Sequence, residues 1–215
     1  MHEITGSVAH AINTVQNYTG KPIIWDPQKE GNDVEFTEPD FIQAYAQAGV
    51  SALILFSFSS PRVQATCVKA SYNNGITPIG GFRPTQPGFD ETESVKLDDI
   101  FPHLGNRKFH GYIADGAERR ALELYSLIGV NHFIAPGNKL PELTSMLQTL
   151  RGYGVEPIVL MPGIGRQGGD IEIAIQTAKD AGAVSCYAII GSGIYRADNP
   201  REAAQRYTDR ISRFM

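Results

Sequence analysis

Between Glu156 and Pro200 the chain alternates strand, glycine loop, helix, strand, glycine turn and helix, and few architectures accept that order. Pro157-Ile-Val-Leu-Met161 is a short apolar run that reads as a buried strand. The loop Pro162-Gly-Ile-Gly-Arg-Gln-Gly-Gly-Asp170 follows. Asp170 then has the right chemistry for a helix N-cap, with Ile171, Ala174, Ile175 and Ala178 on one face behind it. A second apolar run, Cys186-Tyr-Ala-Ile-Ile190, ends at Gly191-Ser-Gly193. Asn199 and Pro200 open the last helix as its cap and first residue. Repeated strand–turn–helix units predict a parallel α/β protein. Glycine after a strand can be a plain tight turn. It also lets bare N–H groups approach a phosphate, and two such turns on consecutive units favour a shared phosphate pocket.

The segments Met161–Asp170 and Ile190-Gly-Ser-Gly-Ile-Tyr-Arg-Ala-Asp-Asn-Pro200 resemble the C-terminal quarter of orotidine 5'-monophosphate decarboxylases, above all the archaeal form. The resemblance implies a TIM-type (β/α) barrel of the ribulose-phosphate-binding kind. It implies that Gln167 closes over a phosphate from a mobile loop, with Gly163 among the binding residues, while the backbone around Gly191 holds it from below. The family places an arginine directly after that glycine. Here the position is Ser192, and Arg166, beside Gln167, is the candidate replacement charge.

A second stretch extends the resemblance. Lys21-Pro-Ile-Ile-Trp25 reads as the first strand and delivers Asp26 to its carboxyl end, where parallel barrels do their chemistry. Taken alone, Asp26-Pro-Gln-Lys-Glu-Gly-Asn-Asp33-Val-Glu-Phe-Thr37 is a polar loop with a helix cap. In position it resembles the decarboxylase signature Asp-x-Lys-x-x-Asp, with Thr four residues on. Asp33 and Thr37 keep that spacing. Asp26 lies two residues further from Asp33 than the pattern has it, so Gln28 stands at the lysine offset and Lys29 is displaced by one. The resemblance implies Asp26 and Asp33 as electrostatic carboxylates and Lys29 as proton donor, with no cofactor. It also implies that Asp33 and Thr37 come from a partner subunit, hence a homodimer with shared sites and a nucleotide monophosphate as ligand. In Arg83-Pro-Thr-Gln-Pro-Gly88, a proline-rich turn, Thr85 matches the hydroxyl that reads the pyrimidine.

Residues 1–20 read as a helix with Ile4, Val8, Ala11, Ile12 and Val15 on one face, stopped by Gly20. Helices are also expected from Pro39 to Ala48, from Ser60 or Pro61 onward with Val63, Cys67 and Ala70 inward, over Ala117–Ile128 and over Leu140–Leu150. Strands are expected at Ala52–Phe56 and Thr77–Phe82, and at the start of Asn131–Gly137. The periodicity weakens over 89–115, which reads as an insertion, with a short helix expected over Val95–Leu104 and a strand or helix start over Lys108–Ile113. The family implies two further strands ahead of residue 1, so the expected domain is one barrel over 1–215, incomplete or modified at its N-terminus.

Composition narrows the function. A chain of 215 residues can bury a sizeable core. A net charge of −4, with no basic run, argues against nucleic acid. Two isolated cysteines, Cys67 and Cys186, suit a reducing, cytoplasmic setting. No apolar run reaches membrane-spanning length, and no signal peptide or metal-ligand spacing is visible. Gly163-Ile-Gly-Arg-Gln-Gly168 also fits a dinucleotide fingerprint, but the acidic residue that pattern needs at the end of the next strand is absent at Ile189–Gly191.

Overall fold

Six parallel strands form the framework: β1 (Ile24–Trp25), β2 (Ala52–Leu55), β3 (Thr77–Gly80), then β6 (His132–Ile134), β7 (Ile158–Met161) and β8 (Ser185–Ala188). The computed structural model describes residues 2–27, 34–81 and 87–214, with side chains from residue 8 onward. Sheet order follows chain order, β1-β2-β3-β6-β7-β8, and every pairing is parallel. Each crossover therefore runs the same way, puts its helix on the same face and curls the sheet. The result is an incomplete barrel in which β1 and β8 are edges. The helices are α1 (His2–Gln16), α2 (Glu38–Gln47), α3 (Pro61–Asn73), α4 (Ala117–Leu127), α5 (Leu140–Gly152), α6 (Ile171–Asp180), the four-residue α7 (Ser192–Tyr195) and α8 (Pro200–Ile211).

Strand alternation sorts the side chains. Leu53, Leu55, Phe133, Val159 and Met161 point outward into the main core against the helices, where Leu122, Tyr125, Leu143, Leu147, Ala174 and Ala178 are buried. Ala52, Ile79 and Leu160, with half-buried Ile54 and Ile134, form a thin second cluster on the other face. At the open edges Ile24 and Tyr187 stay exposed. Gly80 is a packing requirement, because a Cβ there would meet the Tyr125 ring at 2.9 Å.

Most element expectations hold, with ends shifted by one to a few residues: β1 begins at Ile24 rather than Lys21, and α5 runs on to Gly152 rather than stopping at Leu150. Ser60 caps α3 and accepts from the Arg62 N–H, and Val63, Cys67 and Ala70 are buried. Asp170 caps α6, and Ile171, Ala174, Ile175 and Ala178 are all buried. The first helix stops at Gln16 rather than Gly20, its final turn tightening as the Tyr18 N–H bonds the Val15 carbonyl. Val8 and Ile12 are buried, while Ala11 and Val15 are exposed.

The region 89–115 departs from expectation. Val95–Leu104 is not a helix. Ser94–Lys96 is β4, paired antiparallel with β5 (Lys108–His110); after it the Ile100 and Phe101 N–H groups close a turn on the Leu97 carbonyl, and Pro102–Leu104 forms a 3-10 segment. Two physical features decide this. Pro102 disfavours helical backbone at Phe101. Upstream, buried Asp90 organises a turn by accepting from the Thr92 N–H at 2.9 Å and the Thr92 hydroxyl at 2.6 Å. Lys139, at the carboxyl end of β6, reaches Glu93 at 3.8 Å and ties this hairpin to the rim of the barrel.

Candidate phosphate site at the carboxyl ends of the strands

Parallel strands bring all their carboxyl ends to one rim. The glycine loop after β7 folds back on itself there. The Gly165 N–H donates to the Gly169 carbonyl (2.8 Å), the Gly168 N–H to Gly165 (2.8 Å) and the Gly169 N–H to Gly163 (3.0 Å). Gly163, Gly165 and Gly168 all take positive φ, so this knot requires glycine. Gly163 has a second reason, since a Cβ there would lie 2.5 Å from Asn138 Oδ1. The knot exposes Arg166 and Gln167 at its tip. Their N–H groups donate to no backbone acceptor among the described residues.

After β8, Gly191 is exposed and serves as the N-cap of α7, with φ −99° and ψ −98°. Its carbonyl accepts from the Ile194 N–H at 2.9 Å. The N–H groups of Ser192 and Gly193 open the helix, where they have no intrahelical acceptor. Ser192 is half-buried.

The two turns are neighbours. A Cβ on Gly165 would lie 2.9 Å from the Tyr207 hydroxyl, and one on Gly193 would lie 2.7 Å from the same oxygen. One atom of α8 therefore touches both turns. The caps set this register. The Asn199 side chain accepts from the Glu202 N–H, Pro200 is the first helical residue, and Tyr207 follows two turns later on the face of buried Ala203. Asp170 fixes the far end of the loop. It accepts from the Glu172 N–H (2.9 Å) and the Ile173 N–H (3.1 Å), and Arg210 of α8 pairs with it at 2.5 Å. The hydrogen bond from Arg210, then that from Ile173, hold its carboxyl below the usual aspartate range.

The other predicted residues fall elsewhere. Asp26 follows β1, exposed, and makes no hydrogen bond or ion pair among the described residues. Thr37 stands at the start of α2 but does not cap it by its side chain; its hydroxyl donates to the Val34 carbonyl at 3.0 Å. Lys29, Asp33 and Thr85 lie outside the described residues. His132 opens β6 at the opposite end of the strands from the glycine turns. It is half-buried, its ring bonded to Asn131 at 2.7 Å and its pKa lowered by burial. Cys67 and Cys186 are free thiols. Among the described residues no cluster of metal-ligating side chains occurs and no helix is long and apolar enough to cross a membrane.

Two contributors escaped the sequence reading. Asn138 follows β6 and its Nδ2 donates to the Gln167 carbonyl at 3.3 Å. Its place after Pro136-Gly137, at a strand end, was the available signal. Tyr207 could have been found from its spacing to Pro200, but nothing local says what it touches.

No family model matches the chain. It is 33% identical over 208 residues to the orotidine 5'-phosphate decarboxylase of Thermococcus kodakarensis, across 97% of this chain and 80% of that protein. The Pyrococcus abyssi enzyme is 42% identical over 130 residues, 58% of this chain, a match spanning 56% of that protein's length. In three dimensions the chain is similar to orotidine 5'-monophosphate decarboxylase from Methanocaldococcus jannaschii complexed with inhibitor BMP, with TM-score 0.69 and 17% identity over 94% of this chain and 79% of that one. The Sulfolobus solfataricus enzyme gives 0.63 at 18% identity over 94% of this chain and 80% of that one. At such identity the structures speak for the fold.

Proposed function

Because this chain belongs to the orotidine 5'-phosphate decarboxylase family, we propose that it is a cofactor-independent carbon–carbon lyase. It converts orotidine monophosphate to uridine monophosphate and carbon dioxide, a step of pyrimidine biosynthesis. The observation that carries the proposal is the meeting of the two glycine turns across the Tyr207 hydroxyl. A phosphoryl dianion needs several N–H donors converging from different segments, and these turns supply them.

In this reading Gly163 lets the loop turn, Gln167 closes over the phosphate, and the N–H groups at Gly191 and Ser192 hold it from below. Arg166 supplies the charge that Ser192 does not. Thr85 reads the pyrimidine. The bond that breaks joins the ring to its carboxylate. Carbon dioxide leaves, the electron pair stays on the ring carbon, and the Lys29 ammonium delivers the proton that replaces it. Asp26 and Asp33 form a preorganised field that opposes the substrate carboxylate and keeps the lysine charged. Asp33 and Thr37 reach the site of a partner subunit, so the working unit is a homodimer. The chain forms one barrel domain with an insertion over 89–115, and acts in the cytoplasm.

The test is turnover. Loss of the substrate's ultraviolet absorbance on adding enzyme supports the reading, and no loss at high enzyme concentration overturns it. Ser192, standing where the family places an arginine, favours a second reading, a repurposed homologue that keeps the phosphate pocket without decarboxylating. Uridine monophosphate would then raise the melting temperature of a protein with no detectable turnover.

A further inference from the structure

We infer that Tyr207 is a positioning residue for phosphoryl binding, its hydroxyl acting as the wedge that sets the gap between the two glycine turns. The inference rests on the nucleotide reading above.

Three observations carry it. First, the hydroxyl lies within contact distance of the Cβ that either glycine would carry, 2.9 Å from that of Gly165 and 2.7 Å from that of Gly193. Contacts below 3.0 Å are not made by real Cβ atoms, so this oxygen and the two turns exclude one another's growth. Second, the two glycines are glycine for different reasons. Gly165 has φ +82°, which alone demands glycine. Gly193 lies inside helical α7 and takes no positive φ. What forbids a side chain there is the tyrosine oxygen, since the next atoms, Ile190 Cγ2 and Tyr207 Cε2, stand at an ordinary 3.5 Å. Third, the tyrosine is held from behind. Tyr207 packs against the main core, as does Ile211 of the same helix, and α8 is pinned to α6 through Arg210, Asp170 and Glu172. Displacing the ring therefore works against its packing on the core, and displacing α8 works against its ion pairs to α6.

The consequence is steric and specific. A methyl on residue 193 and an oxygen on residue 207 would stand 2.7 Å apart, too close for both to keep their places. Supplying both forces the turns apart; supplying neither leaves a gap into which they can drift. Exchanging one for the other restores the spacing.

The experiment titrates four proteins with uridine 5'-monophosphate by calorimetry: wild type, Tyr207→Phe, Gly193→Ala, and the double variant. Each is first checked by circular dichroism melting. Tyr207→Phe is expected to weaken binding about threefold, Gly193→Ala about tenfold or more, and the double variant to bind more tightly than Gly193→Ala, a non-additivity typical of residues in contact. Equal affinity of Gly193→Ala and the double variant overturns the wedge. Unchanged affinity in all three variants overturns the positioning role and leaves the nucleotide reading standing. Should wild type fail to bind the nucleotide, both fall. If Gly193→Ala does not fold, recovery of folding and binding in the double variant supports the inference, and its failure to recover either overturns it.

Discussion

Asp170→Ala separates the loop's anchor from the loop itself. Asp170 does two jobs: it caps α6 through two N–H groups and pairs with Arg210. Loss of an N-cap acceptor costs about 1 kcal/mol. The Arg210 pair is worth less, about 0.5 kcal/mol, because both side chains are some two-fifths exposed and solvent screens them. Together these predict about 1.5 kcal/mol, a fall in melting temperature of about 3–6 °C for a chain of this size. Asp170→Asn keeps an oxygen for the cap and removes only the charge, so its loss should be about 1–2 °C. Thermal melts of both variants at neutral pH decide the matter. Equal losses in the two would refute the division between cap and ion pair, and no loss in either would refute the anchoring role. The pH dependence gives a second check. The folded-state pKa of Asp170 is depressed, so its contribution is complete above its ordinary value near 3.8 and is lost as pH falls through the lower folded value. Wild type and Asp170→Asn should therefore begin to approach one another in stability only below pH 3.8, and converge as the pH falls through the depressed folded value.

Gln167→Ala should weaken uridine monophosphate binding about tenfold while leaving the melting temperature of the free protein unchanged, since the side chain is exposed; calorimetry and melting together check this. Gly80→Ala should destabilise the fold by about 1–3 kcal/mol, read by denaturant titration, because the new methyl meets the Tyr125 ring at 2.9 Å and Phe133 at 3.2 Å. His132 has its pKa lowered by burial, so the unfolded chain takes up its proton first and stability falls as pH drops below about 6.5. His132→Gln should flatten that part of the stability profile, which melts between pH 5 and pH 7 measure.

How much of this was legible depended on whether the cause was local. The caps were readable because Asp170 and Asn199 act on N–H groups two and three residues away. The inward face of α6 was readable from its period. The hairpin at β4 and β5 was not. It depends on Asp90 drawing in Thr92 and on Val95 pairing with Phe109 across fourteen residues, and apolar spacing over Val95–Leu104 carries neither fact. Tyr207 was invisible for the same reason. Its spacing from Pro200 gives its side of the helix, while its contacts with Gly165 and Gly193 come from packing α8 across two turns.

The positions of the site residues along the sheet explain why the phosphate half could be built from local signals and the reactive half could not. Gly163–Gln167 and Gly191–Gly193 hang from adjacent strands, β7 and β8; β8 is itself an edge, but its ladder to β7 runs over four register positions where that of β1 to β2 runs over two. Their geometry is fixed by backbone ladders, glycine sterics and one tyrosine. Asp26 hangs from β1, a two-residue strand that among the described residues pairs only with β2. A carboxylate there owes its position to the ladder on one side alone, and its field on a reacting bond depends on what flanks the other side. Electrostatic preorganisation tolerates little displacement, whereas a dianion held by several N–H groups tolerates more. Under the proposed reading, covering the β1 edge should therefore raise kcat more than it lowers the dissociation constant for the nucleotide, because the two glycine turns stand on the four-position β7–β8 ladder while Asp26 stands on the two-position β1–β2 ladder.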